Sequence, residues 1–113
     1  MKRSVAKAPA DWFRTIAEAL GGAAPGATAT KGFGSGALKV KGRIFASLTR
    51  GRLLLKLPAH RVDELVRLNI GDPFSTGPGR VKKEWLTVDV AHARRWRGLA
   101  EEARKYVDSQ LLP

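Results

Sequence analysis

The chain predicts an α+β domain, an antiparallel sheet with helices packed on one face. Three observations predict it. Apolar residues recur at helical spacing near the N-terminus, switch to strict alternation between Ala37 and Leu57, and return to helical spacing after Asp89. Glycines stand where the alternating segments reverse, at Gly42 and at Arg50-Gly51. The resulting order, helix, three strands, helix, strand, helix, separates a strand meander from the helices that cover it.

Each element has its own signal. APADWFRTIAEALGG predicts the first helix, because Trp12, Phe13, Ile16 and Leu20 fall on one helical face, Pro9 suits the first turn and Gly21-Gly22 stop it. AAPGATATKGFGSG, residues 23–36, has no periodicity and is read as a mobile loop. Leu38 and Val40 then alternate with Lys39 and Lys41. After Gly42, Ile44, Ala46 and Leu48 alternate with Phe45, Ser47 and Thr49. Past Arg50-Gly51, Leu53, Leu55 and Leu57 share one face, and Arg52, Leu54 and Lys56 the other. Pro58 opens a helix with an apolar stripe of Val62, Leu65 and Val66, ended by Asn69 to Gly71. DPFSTGPGR is read as a loop. VKKEWLTVD predicts the last strand, with Leu86 and Val88 facing away from Lys83, Trp85 and Thr87. Asp89 caps a final helix whose core positions are Trp96, Leu99, Ala103, Tyr106 and Val107. The expected organisation is a flexible tail over residues 1–8 and one domain over 9–111.

This alternation sorts the sheet into two faces. Leu38, Ile44, Leu55, Leu86 and Val88 are expected to meet Trp12, Ile16, Leu65, Leu99 and Val107. Lys39, Lys41, Arg43, Phe45, Arg52, Leu54, Lys56, Lys83 and Trp85 form the opposite face, which is basic and contains aromatics.

Composition narrows the function. The formal charge is +11 over 113 residues, and no acid occurs between Glu18 and Asp63. A field of that sign concentrates anions such as nucleic acid, acidic lipid or acidic protein. The absence of cysteine excludes disulfides, thiolate metal sites and thiol catalysis. No apolar run exceeds three residues, and MKRSVAKAPADW lacks a signal-peptide core, so no membrane span and a cytoplasmic location are expected. Gly32, Gly34 and Gly36 precede a strand instead of opening a helix, the wrong context for a phosphate loop. His60 and His92 have no partner at a metal-ligand or catalytic spacing. Asp63-Glu64 and Glu101-Glu102 read as helical surface pairs. The chain is therefore expected to be no enzyme, with no cofactor and no metal.

Phosphate recognition needs only placed Lys and Arg, and neighbouring aromatics can stack single-stranded bases. Phe45 and Trp85 on a lysine-lined face suit that. The other reading of Phe45, Leu54 and Trp85 is a second small core under the loops or a dimer contact. Arg94, Arg95 and Arg97 open the last helix, where the macrodipole disfavours cations and an anion would compensate them.

The stretch GALKVKGRIFASLTRGRLLLKLPAHRVDELV, followed by KKEWLTVD, resembles the small MmcQ/YjbR-type proteins. The resemblance runs from about Trp12 to the end, carried by "GRIFASL", "LLLKLP", the helix and "EWLTV". The N-terminal domain of TfoX-type competence regulators is similar over the same stretch. The resemblance implies a curved antiparallel sheet, a topology often compared with frataxin, and a double-wing mode of DNA binding. The matching wings are the hairpins at Gly42 and Arg50-Gly51, with Lys39, Lys41, Arg43, Arg50 and Arg52 as phosphate contacts. GDPFSTGPGRVKK departs from a compact turn and presents a different edge. The frataxin comparison alone suggests metal handling, for which the chain lacks an acidic ridge.

The expected function is non-enzymatic binding of nucleic acid, DNA by the resemblance, with low sequence specificity. Its contacts are Lys39, Lys41, Arg43, Arg50, Arg52, Lys56, Lys83, Arg94, Arg95 and Arg97, with Phe45 and Trp85 stacking. The alternative is an interaction module whose basic face binds an acidic protein or a second copy of the chain.

Overall fold

The computed structural model describes residues 8–21, 27–29 and 37–110. The expected tail, apart from Ala8, and the expected loop, apart from residues 27–29, lie outside the described residues. Helix α1 (Pro9–Ile16) runs into a π-helical turn, Ala17–Gly21. Six strands follow with two further helices among them: β1 (Ala27–Ala29), β2 (Ala37–Val40), β3 (Arg43–Thr49), β4 (Arg52–Lys56), α2 (Ala59–Arg67), β5 (Asp72–Ser75), β6 (Val81–Val88) and α3 (Ala93–Gln110). The strands form one antiparallel sheet in the order β1-β2-β3-β4-β6-β5. The fold class is α+β, as the sequence predicts.

Local chemistry sets the boundaries. Lys41 and Gly42 both have positive φ, 51° and 82°, and so do Arg50 and Gly51, at 53° and 76°. Two consecutive positive-φ residues make the hairpin turn whose twist matches the flanking strands. Helix α2 ends where Asn69 takes φ 60°. Asn69 N–H then donates to Val66 O, and Ile70 N–H to Leu65 O, both at 3.0 Å, satisfying two terminal carbonyls. Asp89 accepts from Ala91 N–H at 3.0 Å, so it caps the short 3-10 turn Val90–His92 ahead of α3.

All three helices pack on one face. Leu38, Val40, Leu53, Leu55, Leu86 and Val88 are buried with Phe13, Ile16, Val62, Leu65, Trp96, Leu99 and Val107. Trp96 is fully buried, yet its indole N–H reaches Asp89 O at 3.2 Å. Trp12 packs against the core while remaining half-buried, and Tyr106 is half-buried as well.

One expectation about the faces is reversed. Phe45 is 0% exposed and Ile44 is 40% exposed, the opposite of their predicted sides. The cause is a bulge between β2 and β3. Leu38 pairs with Ala46 and Lys39 with Ile44, leaving Phe45 as the extra residue. Phe45 and Ala46 therefore both turn inward, while Ile44 turns out beside Lys39. Phe45 is corrected from a stacking residue to a core residue. DPFSTGPGR is also corrected, since Asp72–Ser75 forms edge strand β5 against β6. Pro73 is tolerated there because an edge strand need not donate on both sides. Within the expected loop, Ala27–Ala29 pairs with β2.

Two glycines give opposite expectations. A Cβ on Gly71 would stand 2.8 Å from Leu86 Cγ, in a side chain that is itself fully buried. Gly71→Ala is expected to cost about 1–3 kcal/mol. Nothing lies within 4 Å of a Cβ on Gly98, inside α3, so Gly98→Ala is expected to add up to about 1 kcal/mol. Urea unfolding of the two variants checks both signs. The bulge is tested the same way: Phe45→Ala should lose about 3–5 kcal/mol and Ile44→Ala under about 1 kcal/mol. Equal losses would contradict the observed register.

Candidate functional site

Half of the carboxylates, Asp72, Glu84, Asp89, Glu102 and Asp108, tie elements of the fold together. Arg52 on β4 reaches Asp72 on β5 at 2.5 Å and Asp89 at 3.4 Å. Arg61 on α2 bonds Glu102 on α3 through Nε and Nη2, both at 3.0 Å, and Glu64 through Nη1 at 2.8 Å. These bonds, Glu102 first and Glu64 second, hold the Arg61 pKa above its ordinary value against the opposing effect of burial. Lys41 Nζ lies 3.0 Å from Asp108 Oδ1, a charge contact out of hydrogen-bond alignment. Asp11 holds Arg14 at 3.3 Å within α1.

Not every cation is so paired. Among the described residues no ion pair forms at Lys39, Arg43, Arg50, Lys83, Arg94, Arg95 or Arg97. Those seven do not make one surface. Lys39 and Arg43 line an open depression of about 550 Å³ with Ile44, Lys56, Trp85 and the end of α3 at Gln110. Arg50 and Arg52 line another, of about 620 Å³, with Phe74, Ser75 and Thr87. The two hairpin turns stand at opposite ends of β3, which is seven residues long, so about 20 Å separates them. Arg94 and Arg95 line a groove between α2 and α3, in the helical layer, together with Arg61 and Leu99. Lys83 joins Lys82 and Arg67 beside α2. Arg97 is exposed on α3.

The uncovered sheet face carries the closest grouping. Lys39 is the cross-strand partner of Ile44, and Lys56 of Trp85. Paired residues of an antiparallel sheet point to the same side. The two pairs, offset by about one residue between β3 and β4 because Ala46 is the partner of Leu55, line the same depression and read across β2, β3, β4 and β6 as Lys39, Ile44, Lys56, Trp85: cation, aliphatic, cation, aromatic. Lys56 Nζ stands 5.6 Å from the centroid of the Trp85 ring, a cation–π contact. Half-buried Trp85 thus keeps its predicted place on the basic face, which Phe45 does not.

Sequence reasoning omitted Arg67, Arg80 and Lys82. Arg80, Val81, Lys82 and Lys83 are four consecutive exposed residues at the start of β6. The run RVKK after the Asp-Pro and Gly-Pro turn signals carried that information; VKK was placed on the last strand, but only Lys83, on the Trp85 side of its alternation, was read as a contact. Among the described residues no three His, Cys, Asp or Glu side chains gather where they could hold a metal ion. Nor is any helix there long and apolar enough to cross a membrane. Comparison of the chain with protein families, with curated proteins and with solved structures finds no match in any of the three.

Glu84 fixes the middle of the row from behind. Its Oε2 accepts from Tyr106 O–H at 2.8 Å, and its Oε1 lies 3.9 Å from Lys56 Nζ, linking β6 to α3 and to β4. Burial first, and the Glu84 hydrogen bond second, raise the Tyr106 phenol above its usual 10.0. Above about pH 10 the unfolded phenol has lost its proton while the folded one keeps it, so stability falls as pH rises there; below that pH the contribution is constant. Tyr106→Phe should flatten the decline between pH 9 and 11 and cost about 1 kcal/mol at pH 8 through the lost hydrogen bond. Urea midpoints at pH 8 and 11 measure both effects, and an unchanged alkaline decline would contradict the assignment.

Proposed function

We propose that the chain is a non-enzymatic nucleic-acid-binding domain that acts mainly through phosphate contacts from its uncovered sheet face. The observation that carries this reading is the pairing pattern of the cations. Carboxylates accompany Arg52, Arg61, Lys41 and, at 3.9 Å, Lys56, which join elements of the fold, whereas Lys39 and Arg43 beside Trp85 have none among the described residues. Unneutralised cations around an aromatic floor match what a phosphate backbone with accessible bases requires. The resemblance to MmcQ/YjbR-type proteins supports the same reading and favours DNA. The primary contacts are Lys39 and Lys56 on that face and Arg43 at the hairpin end beside α3, opposite inward-facing Val40, with Trp85 as the aromatic. Lys41 and Arg52 serve the fold first. Arg50, Lys83, Arg94, Arg95 and Arg97 add attraction at longer range.

An acidic protein surface would meet the same cations, and a polyanion control separates the two. With three phosphates neutralised, log affinity against log salt should have a slope of about −2.7 on duplex and about −2.1 on single strands. Fluorescence anisotropy of a labelled oligonucleotide from 20 to 200 mM salt measures it. Lys39→Glu with Arg43→Glu should weaken binding more than tenfold, and Arg94→Glu with Arg95→Glu less than threefold. Binding absent at low salt, indifferent to salt, or matched by polyglutamate of equal charge would overturn the proposal.

A further inference from the structure

We infer that the ligand of the uncovered sheet face is a single strand, laid across β2, β3, β4 and β6 with one base on Trp85. This rests on the nucleic-acid reading and narrows it. The row Lys39, Ile44, Lys56, Trp85 crosses three inter-strand gaps, about 14 Å in all. Along that span cationic and apolar groups alternate. A single strand also alternates charged and apolar units, and its unpaired bases turn their faces to a protein surface. A duplex does not: its bases are stacked on one another and offer only edges in the grooves.

The position of Trp85 favours the same ligand. It lies on β6, beside β4 and inside the sheet order, so it forms part of a floor. Reaching it requires a base to come down onto the sheet. The two hairpin turns carry Lys41-Gly42 and Arg50-Gly51, with no aromatic or branched wedge to enter a duplex. Ile44 adds an apolar surface that the core does not use. It is 40% exposed because the bulge puts Phe45 inside in its place, and it stands next to Lys39. Arg43 precedes it, exposed and without a carboxylate partner among the described residues. The depression holding these groups, about 550 Å³, lies at the edge of the sheet, where Val107 and Gln110 of α3 also line it; it falls within the size range of small-ligand sites and can receive a nucleotide unit.

The test titrates the full chain at low salt with an oligothymidylate of 15 nucleotides and with a duplex hairpin of the same charge. Affinity is read by anisotropy and stacking by tryptophan emission. Trp96 is fully buried, so a quench belongs to Trp85 or Trp12, and Trp85→Phe separates these two. The expected result is single-strand binding at least tenfold tighter than duplex, with a quench that Trp85→Phe abolishes while affinity changes less than threefold. Trp85→Ala should weaken the single strand by about 5- to 150-fold, the range of one lost base stack. Should Trp85→Ala fail to fold, Ile44→Ser, at an exposed position, is expected to weaken the single strand several-fold and leave the duplex unchanged. Duplex binding as tight or tighter, with emission unmoved and with Lys39→Glu/Arg43→Glu abolishing it, would overturn the single-strand inference and leave the nucleic-acid reading in place. Binding to neither probe would overturn both.

Discussion

One extra residue in β3 decides what each face of this sheet can do. With Lys39 opposite Ile44 and Leu38 opposite Ala46, Phe45 has no cross-strand partner on β2, and the local alternation is broken. An aromatic side chain then enters the core beside Ala46, where burial is worth about 1.5–3 kcal/mol. Unbroken alternation would have put Phe45 among the lysines and Ile44 inside, exchanging a large buried ring for a smaller side chain. The bulge also increases local twist, which helps an open sheet wrap around the helices on its covered side. Everything on the other side inherits the choice, because the outward row contains Ile44 only as a consequence of Phe45 turning in.

Charge is organised by a second constraint. A chain with ten acids and twenty-one Lys or Arg residues cannot pair them all. Half of its carboxylates stand where elements meet: Asp72 and Asp89 at Arg52, Glu102 at Arg61, Asp108 at Lys41 and Glu84 at Lys56. Exposed pairs contribute only about 0.2–1 kcal/mol each. Their larger effect is on distribution, since acids held at these joints cannot neutralise Lys39 or Arg43. Of the cations described between Glu18 and Asp63, Lys41, Arg52, Lys56 and Arg61 meet carboxylates on folding, and Lys39, Arg43 and Arg50 do not. A bound polyanion would relieve the self-repulsion that remains.

Much of this was legible in the sequence because two periodicities are hard to confuse over long segments. Leu53 and Leu55 of β4 and the helical spacing of Trp96, Leu99, Ala103 and Val107 leave one reading each, and the structure buries all of them. The bulge was not legible. Ile44, Phe45 and Ala46 are consecutive apolar residues, so alternation fits with either Ile44 or Phe45 inside; only pairing with β2, a tertiary fact, chooses between them. Strand β5 was hidden for another reason. Asp-Pro and the glycines of residues 72–79 carry turn chemistry, and pairing with β6 overrides it at an edge where proline is acceptable. At the site, Trp85 and the basic partners on its face were readable from period two. The division of the cations into four separate patches was not, because it depends on how the hairpins and the α2–α3 contact are placed in space.

The two hairpin turns carry the argument about charge one step further. Asn, Asp or Gly is the favoured first residue of such a turn, because a left-handed backbone costs a side chain with Cβ about 1–2 kcal/mol. This chain places Lys41 and Arg50 there, at φ 51° and 53°. Lys41 recovers part of that cost through Asp108, which anchors the β2–β3 turn to α3. Arg50 is exposed and has no ion pair among the described residues, so no carboxylate within them adds to what the twist of the turn recovers. A locally unfavourable residue with an unpaired charge is consistent with a contact outside the fold. Arg50 stands at the end of the sheet away from Trp85, beside the Arg52 clamp. A ligand held on the Lys39–Trp85 row would meet Arg50 only by continuing along β3, toward the second depression. A charge retained there against backbone preference therefore fits a ligand longer than the row itself, an extended polyanion instead of a single nucleotide.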